Sequence, residues 1–522
     1  MMNSDLRLPM RHSRSWKPEN VSREALFNLS HRKMLKKNEE ITLEIQSAAF
    51  EGKSIARHEG LVVFVENAVP GDLVIAKLLK IKKSFAEAKL VRVERSSPLR
   101  VEPRCKYFGV CGGCKWQHVD YQAQLRFKQQ QVVDAFERIG GFSNIQVSSI
   151  VGADEIYFYR GKMEYSFAEK EWLSSPPVRS GVELLPSDDF KDNPPIPNPQ
   201  SPIFLGLHVP QRYDKVLDID ECHLQSHFSN QILNFTRDFA RRNHLNVYDS
   251  DRNTGYLRFL VIRESKGKKE LMVNLVTFED HPDVMKHYAA ELKSNVGEVT
   301  TVVNTINAKK AQIAFGETER VYLGNGWIHE HLGSHRFSIS ASSFFQTNVA
   351  QAEKLYSVVK EFGGFKSTDV VFDLYSGTGS IAIFISNSVK EVVGIESVDS
   401  AIRDAEKNAR ENGITNCRFL LGDLKERLTK DTEWMSSHPK PDVLIIDPPR
   451  NGMHPKVVEE ILRIAPERIV YVSCNPATQA RDVKLLCAEK YQLVKLQPVD
   501  MFPHTFHIEN VALLHVKINL LE

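Results

Sequence analysis

From residue 369 onward the chain carries five near-continuous apolar runs, at 369–374, 391–395, 417–421, 442–446 and 468–472, with amphipathic segments between them. Short apolar runs without alternation suit strands buried on both faces, and such strands belong to parallel sheets covered by helices. The spacing predicts a doubly wound, Rossmann-like α/β domain over residues 331–522. Open sheets of this kind bind ligands beyond the carboxyl ends of their strands, so the residues that end each run are where chemistry is sought.

The first run leads into Asp373-Leu-Tyr375-Ser-Gly377-Thr-Gly379. Gly377 and Gly379 let the backbone turn tightly and approach a ligand. Glu396 ends the second run, nineteen residues past Gly377, and a carboxylate there can accept both hydrogen bonds of a ribose diol. Asp423 ends the third run and can reach an adenine edge. The phosphate-binding loop is absent, and the dinucleotide fingerprint is incomplete because Ala382 takes its last position. These residues imply a cofactor containing a nucleoside.

The fourth run ends in Asp447-Pro448-Pro449-Arg450. Two prolines hold a rigid extended loop that fixes Asp447 at the sheet mouth. The fifth ends in Ser473-Cys474-Asn475-Pro476. Asn475 suits an N-cap and Pro476 a first turn, so a helix is expected over about 477–490. Cys474 then sits at a helix N-terminus, where the dipole and free N–H groups favour a thiolate. Farther on, Asp500-Met-Phe-Pro503-His504-Thr-Phe-His507-Ile-Glu509 gathers two histidines, two acids and a proline in a shaped loop.

The whole chain has 522 residues, which at about 150 per domain means about three units. Residues 1–40 read as a flexible basic leader. Residues 41–98 hold short Val- and Ile-rich runs broken by Gly52, Gly60 and Pro70-Gly71, which fits a small all-β barrel of the OB kind. Residues 99–330 form a central α+β domain, with a helix over 121–139 ended by Gly140-Gly141, and a disordered Pro-, Ser- and Asp-rich insertion near 172–202. The net charge of +2 excludes a polycation. Locally, though, Lys77 to Arg104 is strongly basic, and such a face suits a phosphate backbone, although edge lysines also discourage strand pairing. No run reaches the ~18 apolar residues of a membrane helix, and the N-terminus lacks an apolar signal core, so a cytoplasmic protein without a membrane partner is expected. Seven cysteines in such a chain argue against a disulfide framework. Four of them, Cys105, Cys111, Cys114 and Cys222, form one pattern that suits zinc or an iron–sulfur cluster.

In this order, Ser343-Phe-Phe-Gln346-x-Asn348, Asp-Leu-Tyr-x-Gly-x-Gly, Asp-Pro-Pro-Arg-x-Gly, Ser-Cys-Asn-Pro and Asp-x-Phe-Pro-x-Thr-x-His-x-Glu resemble the motifs of the RNA 5-methyluridine (uracil-5) methyltransferases. The resemblance covers most of residues 41 to 522. It is greatest to the 23S rRNA enzymes, which carry an N-terminal TRAM domain and an iron–sulfur cluster. It implies S-adenosylmethionine as methyl donor, with Gln346, Tyr375, Glu396 and Asp447 at cofactor-binding positions. It implies Cys474 as the nucleophile that adds to carbon 6 of uracil and Glu509 as the base that removes the proton at carbon 5. It also turns the four-cysteine pattern toward a [4Fe–4S] cluster with a structural or RNA-binding role. The implied partner is RNA, 23S rRNA ahead of tRNA, acted on by a monomer. Ser376 stands where relatives often carry Cys, and the leader and the insertion are extra. An exocyclic-amine methyltransferase would want an aromatic residue at 450, where this chain has Arg. A non-catalytic RNA-binding protein would leave Cys474 and Glu509 without a role.

Overall fold

A computed structural model describes residues 35–170, 202–209, 212–430 and 440–517. The leader up to residue 34 and the insertion from 171 to 201 lie outside the described residues.

The first five strands, β1 (Glu40–Ala48), β2 (Ser54–His58), β3 (Leu61–Glu66), β4 (Leu73–Ile81) and β5 (Phe85–Arg95), close into a barrel in the order β1-β2-β3-β5-β4. Alternation builds it: Ile41, Leu43 and Ile45 point inward with Val63, Val65, Val74, Ala76 and Leu78, while Thr42 and Glu44 face water. The polar β2, with Arg57 and His58, carries no apolar run to mark it in the sequence. Asp72 ties the barrel to the segment that follows. Its buried carboxylate accepts from the backbone of Val69 (2.7 Å) and Ser97 (2.8 Å) and from the Arg100 guanidinium (2.6 Å).

Among the described residues, a second sheet of seven strands runs in the order β12-β11-β10-β9-β6-β7-β8. Its members are β6 (Lys162–Ala168), β7 (Phe204–Val209), β8 (Arg212–Asp218), β9 (Leu257–Glu264), β10 (Leu271–Thr277), β11 (Val299–Ile306) and β12 (Thr318–Leu323). Helices α2 (His227–Arg242) and α3 (Pro282–Asn295) bury Ile232, Leu233, Phe239, Met285, Tyr288 and Leu292 in the core of this sheet. A hairpin, β13 (Trp327–Leu332) and β14 (His335–Ser340), leads into the C-terminal unit.

That unit is a seven-stranded sheet in the order β17-β16-β15-β18-β19-β21-β20. The five apolar runs are its parallel strands, β15 (Val370–Leu374), β16 (Glu391–Glu396), β17 (Cys417–Leu421), β18 (Val443–Ile446) and β19 (Arg468–Ser473). One face packs on α4 (Val349–Gly363), α5 (Ser380–Ile385) and α6 (Asp399–Glu411). The other packs on α7 (Leu424–Lys430), α8 (Pro455–Ile464) and α9 (Pro476–Glu489). Two further strands, β20 (Tyr491–Val499) and β21 (Glu509–Val516), add an antiparallel edge.

Helix α1 (Tyr121–Ala135), in the stretch read as central domain, packs on this last sheet. Its Val132 and the following Phe136 join Ala480, Val483 and Leu486 of α9, and Gly141, at φ +75°, stops the helix. Residues 147 and 151 then bridge in parallel to Leu496 and Val499 of β20. This sheet is therefore flanked by chain from far upstream.

Asp72→Ala leaves the Arg100 charge and two backbone N–H groups without their acceptor. The variant should lose about 3 kcal/mol of stability, read as a lowered denaturation midpoint. An unchanged midpoint would show that water replaces the carboxylate at no cost.

Candidate active site

The carboxyl ends of β15, β16 and β17 surround a cavity of about 130 Å³ lined by Tyr375, Ile395, Glu396, Ser397, Gly422, Asp423, Leu424, Lys425, His454 and Val457. Glu396 is held in place by the backbone. One carboxylate oxygen accepts from Ser397 N (2.7 Å) and Val398 N (2.9 Å), and the other from Gly377 N (3.1 Å). Gly379 needs to be glycine: its φ is +71°, and a Cβ would stand 2.7 Å from the Phe419 ring. At Gly377, φ +53°, a Cβ would meet nothing, so the space above this turn is open to a ligand. Tyr375 also holds a positive φ, +64°, which is strain of the sort that gathers at ligand sites. Asp423 accepts from Glu426 N at 3.2 Å, at the start of α7. Gln346, on the loop before α4, bonds to the Tyr356 hydroxyl, which in turn lies 2.8 Å from Ser380 Oγ. Gln346 does not line the cavity itself.

Negative charge is crowded at this end of the sheet. Asp373 is buried, and neither of its oxygens meets a donor at hydrogen-bonding geometry, the Ala382 N–H being the nearest group to act on it. Burial, with Asp447 and Glu396 nearby, pushes its carboxyl up to about 8. Burial pushes Asp447 up to about 7. A buried, unpartnered Asp373 with the half-buried Asp447 nearby suits a ligand that brings positive charge.

Asn475 caps α9 by accepting from Ala477 N at 3.1 Å, and its side chain donates to Arg450 O at 3.1 Å, which joins the Asp-Pro-Pro-Arg loop to the thiol-bearing turn. Cys474 is half-buried and open to the site rather than sealed in the core. Its neighbours are Glu509, Asp447 and Arg450, which all act on the sulfur. The expected thiolate is not what this environment favours. Burial, and then the charges of Glu509 and Asp447, push the thiol up to about 11 against the lowering effect of the Arg450 hydrogen bond. Desolvation and two acids outweigh the helix end here.

Glu509 opens β21. Burial, and then Asp447, raise its carboxyl well above the usual range, with Arg450 opposing. His507 is pushed down to about 4 by burial and by Arg450, whose guanidinium donates to its Nδ1 at 3.3 Å. The structure thus brings Cys474, Glu509 and Asp447 together, beside the cavity of Tyr375, Glu396 and Asp423. Reading the sequence for site residues passes over Arg450, Asp373 and His454. The first two stood inside quoted motifs, whereas His454 lies outside every one of them.

Cys105, Cys111, Cys114 and Cys222 converge on a separate cavity of about 30 Å³, shared with Tyr107, Phe108, Gln117, Met163 and Leu224. Burial raises all four thiols, Cys111 and Cys114 to about 12. Gln117 Nε2 donates to Cys114 Sγ at 3.3 Å, and Gly113 N to Cys111 Sγ at 3.4 Å. The four ring the cavity, but among the described residues no three His, Cys, Asp or Glu side chains are grouped to hold one metal ion.

Comparison with known proteins agrees with this geometry. A family model described as tRNA (Uracil-5-)-methyltransferase matches residues 257–517, and a TRAM domain model matches residues 34–91. An RNA methyltransferase of Porphyromonas gingivalis is 42% identical over 475 residues, covering 90% of this chain and 99% of its own. One of Chlorobaculum tepidum is 41% identical over 480 residues, covering 91% and 96%. Among solved structures, the tRNA (uracil-54, C5)-methyltransferase of Pyrococcus abyssi, in complex with S-adenosyl-L-homocysteine, is similar with a TM-score of 0.68 and 29% identity, over 91% of this chain and 100% of that one. With the cofactor cavity, the strand-end acids and the cysteine at the start of α9 in place, this chain belongs to the tRNA (uracil-5-)-methyltransferase family, S-adenosylmethionine-dependent RNA methyltransferases that here carry an N-terminal TRAM barrel.

Proposed function

We propose that this protein methylates carbon 5 of a uridine in 23S rRNA, with Cys474 as covalent nucleophile and Glu509 as base. The observation that carries the mechanism is the mutual influence of Cys474, Glu509, Asp447 and Arg450 at one sheet mouth. Tyr375, Gly377, Gly379, Glu396 and Asp423 would hold the nucleoside part of the donor, with Gln346 and Asp447 toward its reacting end. When bound, S-adenosylmethionine supplies an electrophilic methyl group on a positively charged sulfur.

The chain's own residues do the rest. The Cys474 thiol gives its proton to the Asp447 carboxylate, which leaves Glu509 ionised for the later step, and Arg450 lowers the cost by facing the thiolate. The sulfur bonds to carbon 6, and the electron pair of the 5,6 double bond moves toward the carbonyl, so carbon 5 becomes nucleophilic and takes the methyl, whose bond to the donor sulfur breaks to leave a neutral thioether. The Glu509 carboxylate then removes the proton from carbon 5. The double bond re-forms and the thiolate leaves. The target base must leave its stack to reach a sulfur at this depth.

The rRNA assignment rests on the TRAM barrel and the cysteine pattern, both like those of rRNA-acting relatives. A second reading is tRNA. It is favoured by the Pyrococcus abyssi enzyme, whose similarity covers 91% of this chain, too much to leave the barrel out. For Cys105, Cys111, Cys114 and Cys222 we assign a [4Fe–4S] cluster. The preference rests on the Cys111-Gly-Gly-Cys114 turn and the family resemblance; four thiols around one cavity supply ligands for such a cluster as for zinc.

Three measurements test these readings. Cys474→Ala should abolish turnover, and Glu509→Gln should accumulate a covalent RNA–protein adduct on a denaturing gel; normal turnover by Cys474→Ala would exclude the thiol mechanism. Alkylation of Cys474 by iodoacetamide, with the Cys474→Ala protein as blank, should be slow near neutrality and rise by about tenfold per pH unit toward about 11. A rate already flat above pH 7 would mean that the thiol is ionised at rest. Mass spectrometry of rRNA and tRNA from a deletion strain should show 5-methyluridine missing from 23S rRNA. Its loss from tRNA instead would establish the second reading, and no loss from either would sink both.

A further inference from the structure

We propose that Lys128, on α1, is a positioning residue for the base: with Asp500 it forms a clamp, closed to water, that fixes the loop between β20 and β21. The proposal rests on the reading of Glu509 as the base.

Both side chains are wholly buried, and their N–O distance is 2.6 Å across a separation of 372 residues. The Lys128 ammonium also donates to Phe502 O at 3.1 Å and lies 6.0 Å from the centre of the Trp116 ring. Asp500 is saturated as well: one oxygen also accepts from Phe502 N (3.2 Å), the other from the Tyr121 hydroxyl (2.9 Å). Tyr121 and Lys128 lie on one helix, so α1 grips this carboxylate twice.

The loop has no ladder of its own between β20 and β21, yet its backbone carbonyls from 500 to 504 are all engaged from outside or within. Gln351 donates to Asp500 O (2.8 Å) and Asn348 to Met501 O (2.9 Å). The Tyr159 hydroxyl donates to Pro503 O (3.0 Å), and the N–H groups of Lys115 (2.9 Å) and Trp116 (3.0 Å) both donate to His504 O. Lys128 is the one cation in this set whose charge meets a carboxylate.

The clamp is also close to the reacting groups along the backbone. Glu509 pairs in the ladder with Val499, and Asp500 follows Val499 directly. Beyond the loop, His507 contacts Arg450, which acts on Cys474 and Glu509. A well-packed apolar pair would hold a core at least as firmly as a fully desolvated ion pair. What the pair adds is direction: two oxygens and an ammonium fix where the loop begins.

The test is the double variant Lys128→Met/Asp500→Leu, because Lys128→Met alone would strand a buried carboxylate. It should melt near the wild type and bind S-adenosylmethionine normally by calorimetry. Its turnover should fall by about 10- to 100-fold, and a covalent RNA adduct should build up, since addition by Cys474 continues while proton removal slows. Wild-type turnover, or a fall without adduct, would overturn the proposal, the second outcome marking a merely structural pair. If the double variant does not fold, Tyr121→Phe, which removes one bond to Asp500, takes its place. It should show a smaller fall with adduct, and normal turnover or a fall without adduct would overturn the proposal. Glu509→Gln is measured alongside. If that variant turns over normally, the base reading fails; if it accumulates adduct and the clamp variants do not, the clamp alone fails.

Discussion

The rest of the site depends on the crowding of acids around one sulfur. Asp373, Glu396, Asp447 and Glu509 all lie at one edge of the sheet, and two of them, Glu509 and Asp447, act directly on Cys474. Topology brings them to one edge, because the parallel strands end there and the antiparallel β21 begins there. With little water and one nearby guanidinium, from Arg450, the groups cannot all ionise together. Protonated forms of Asp373 and Cys474 are therefore favoured near neutrality, while Asp447, pushed up to about 7, stands near its midpoint. A ligand that carries positive charge would shift that balance toward the ionised forms.

The second layer is mechanical. The loop from Asp500 to Ile508 lies between antiparallel strands and would move freely if left to itself. It is held by α1, by the start of α4, by Tyr159 and by the backbone just after Cys114. The barrel reaches the same place. The Gly52 carbonyl accepts from Trp116 Nε1 at 3.3 Å, and Phe50 meets Phe506 edge-on at 6.1 Å. The barrel, the cysteine-bearing segment and the catalytic loop therefore share one junction around Trp116 and His504. His504 itself has φ +64° and is buried, its ring tilted against Tyr157 with centroids 4.3 Å apart, a conformation that the surrounding contacts have to impose.

How much of this the sequence discloses follows from the range of each interaction. The parallel strands are legible because both faces are buried and every position is apolar, and Glu396, Asp447 and Cys474 could be placed at strand ends from that alone. Strand β20 carries Gln492, Lys495 and Gln497, so it lacks the continuous run that marks its neighbours. The wrapping of residues 121–151 around the catalytic sheet is invisible locally, since its partners lie about 350 residues away. The acids that raise the Cys474 thiol are invisible near its helix end because they come from other strands. Lys128 and Asp500 each look like surface residues until the fold removes water from both.

That last pair shows why polar groups deep in this molecule are informative. Gln124 is also fully buried, and its amide accepts from His504 N (2.9 Å) while donating to Trp116 O (3.0 Å) and Val119 O (2.8 Å). Each of these bonds replaces water that an apolar side chain would never have needed, so their net contribution to stability is small. Their geometric content is large, because an amide or a carboxylate in a dry core tolerates few arrangements of its partners. Around this loop every such group points to the backbone of residues 500–504 or to the segment that grips it. Buried polar groups hold the backbone of this loop in place, and the apolar cores on the two faces of the sheet supply the stability that lets them do so.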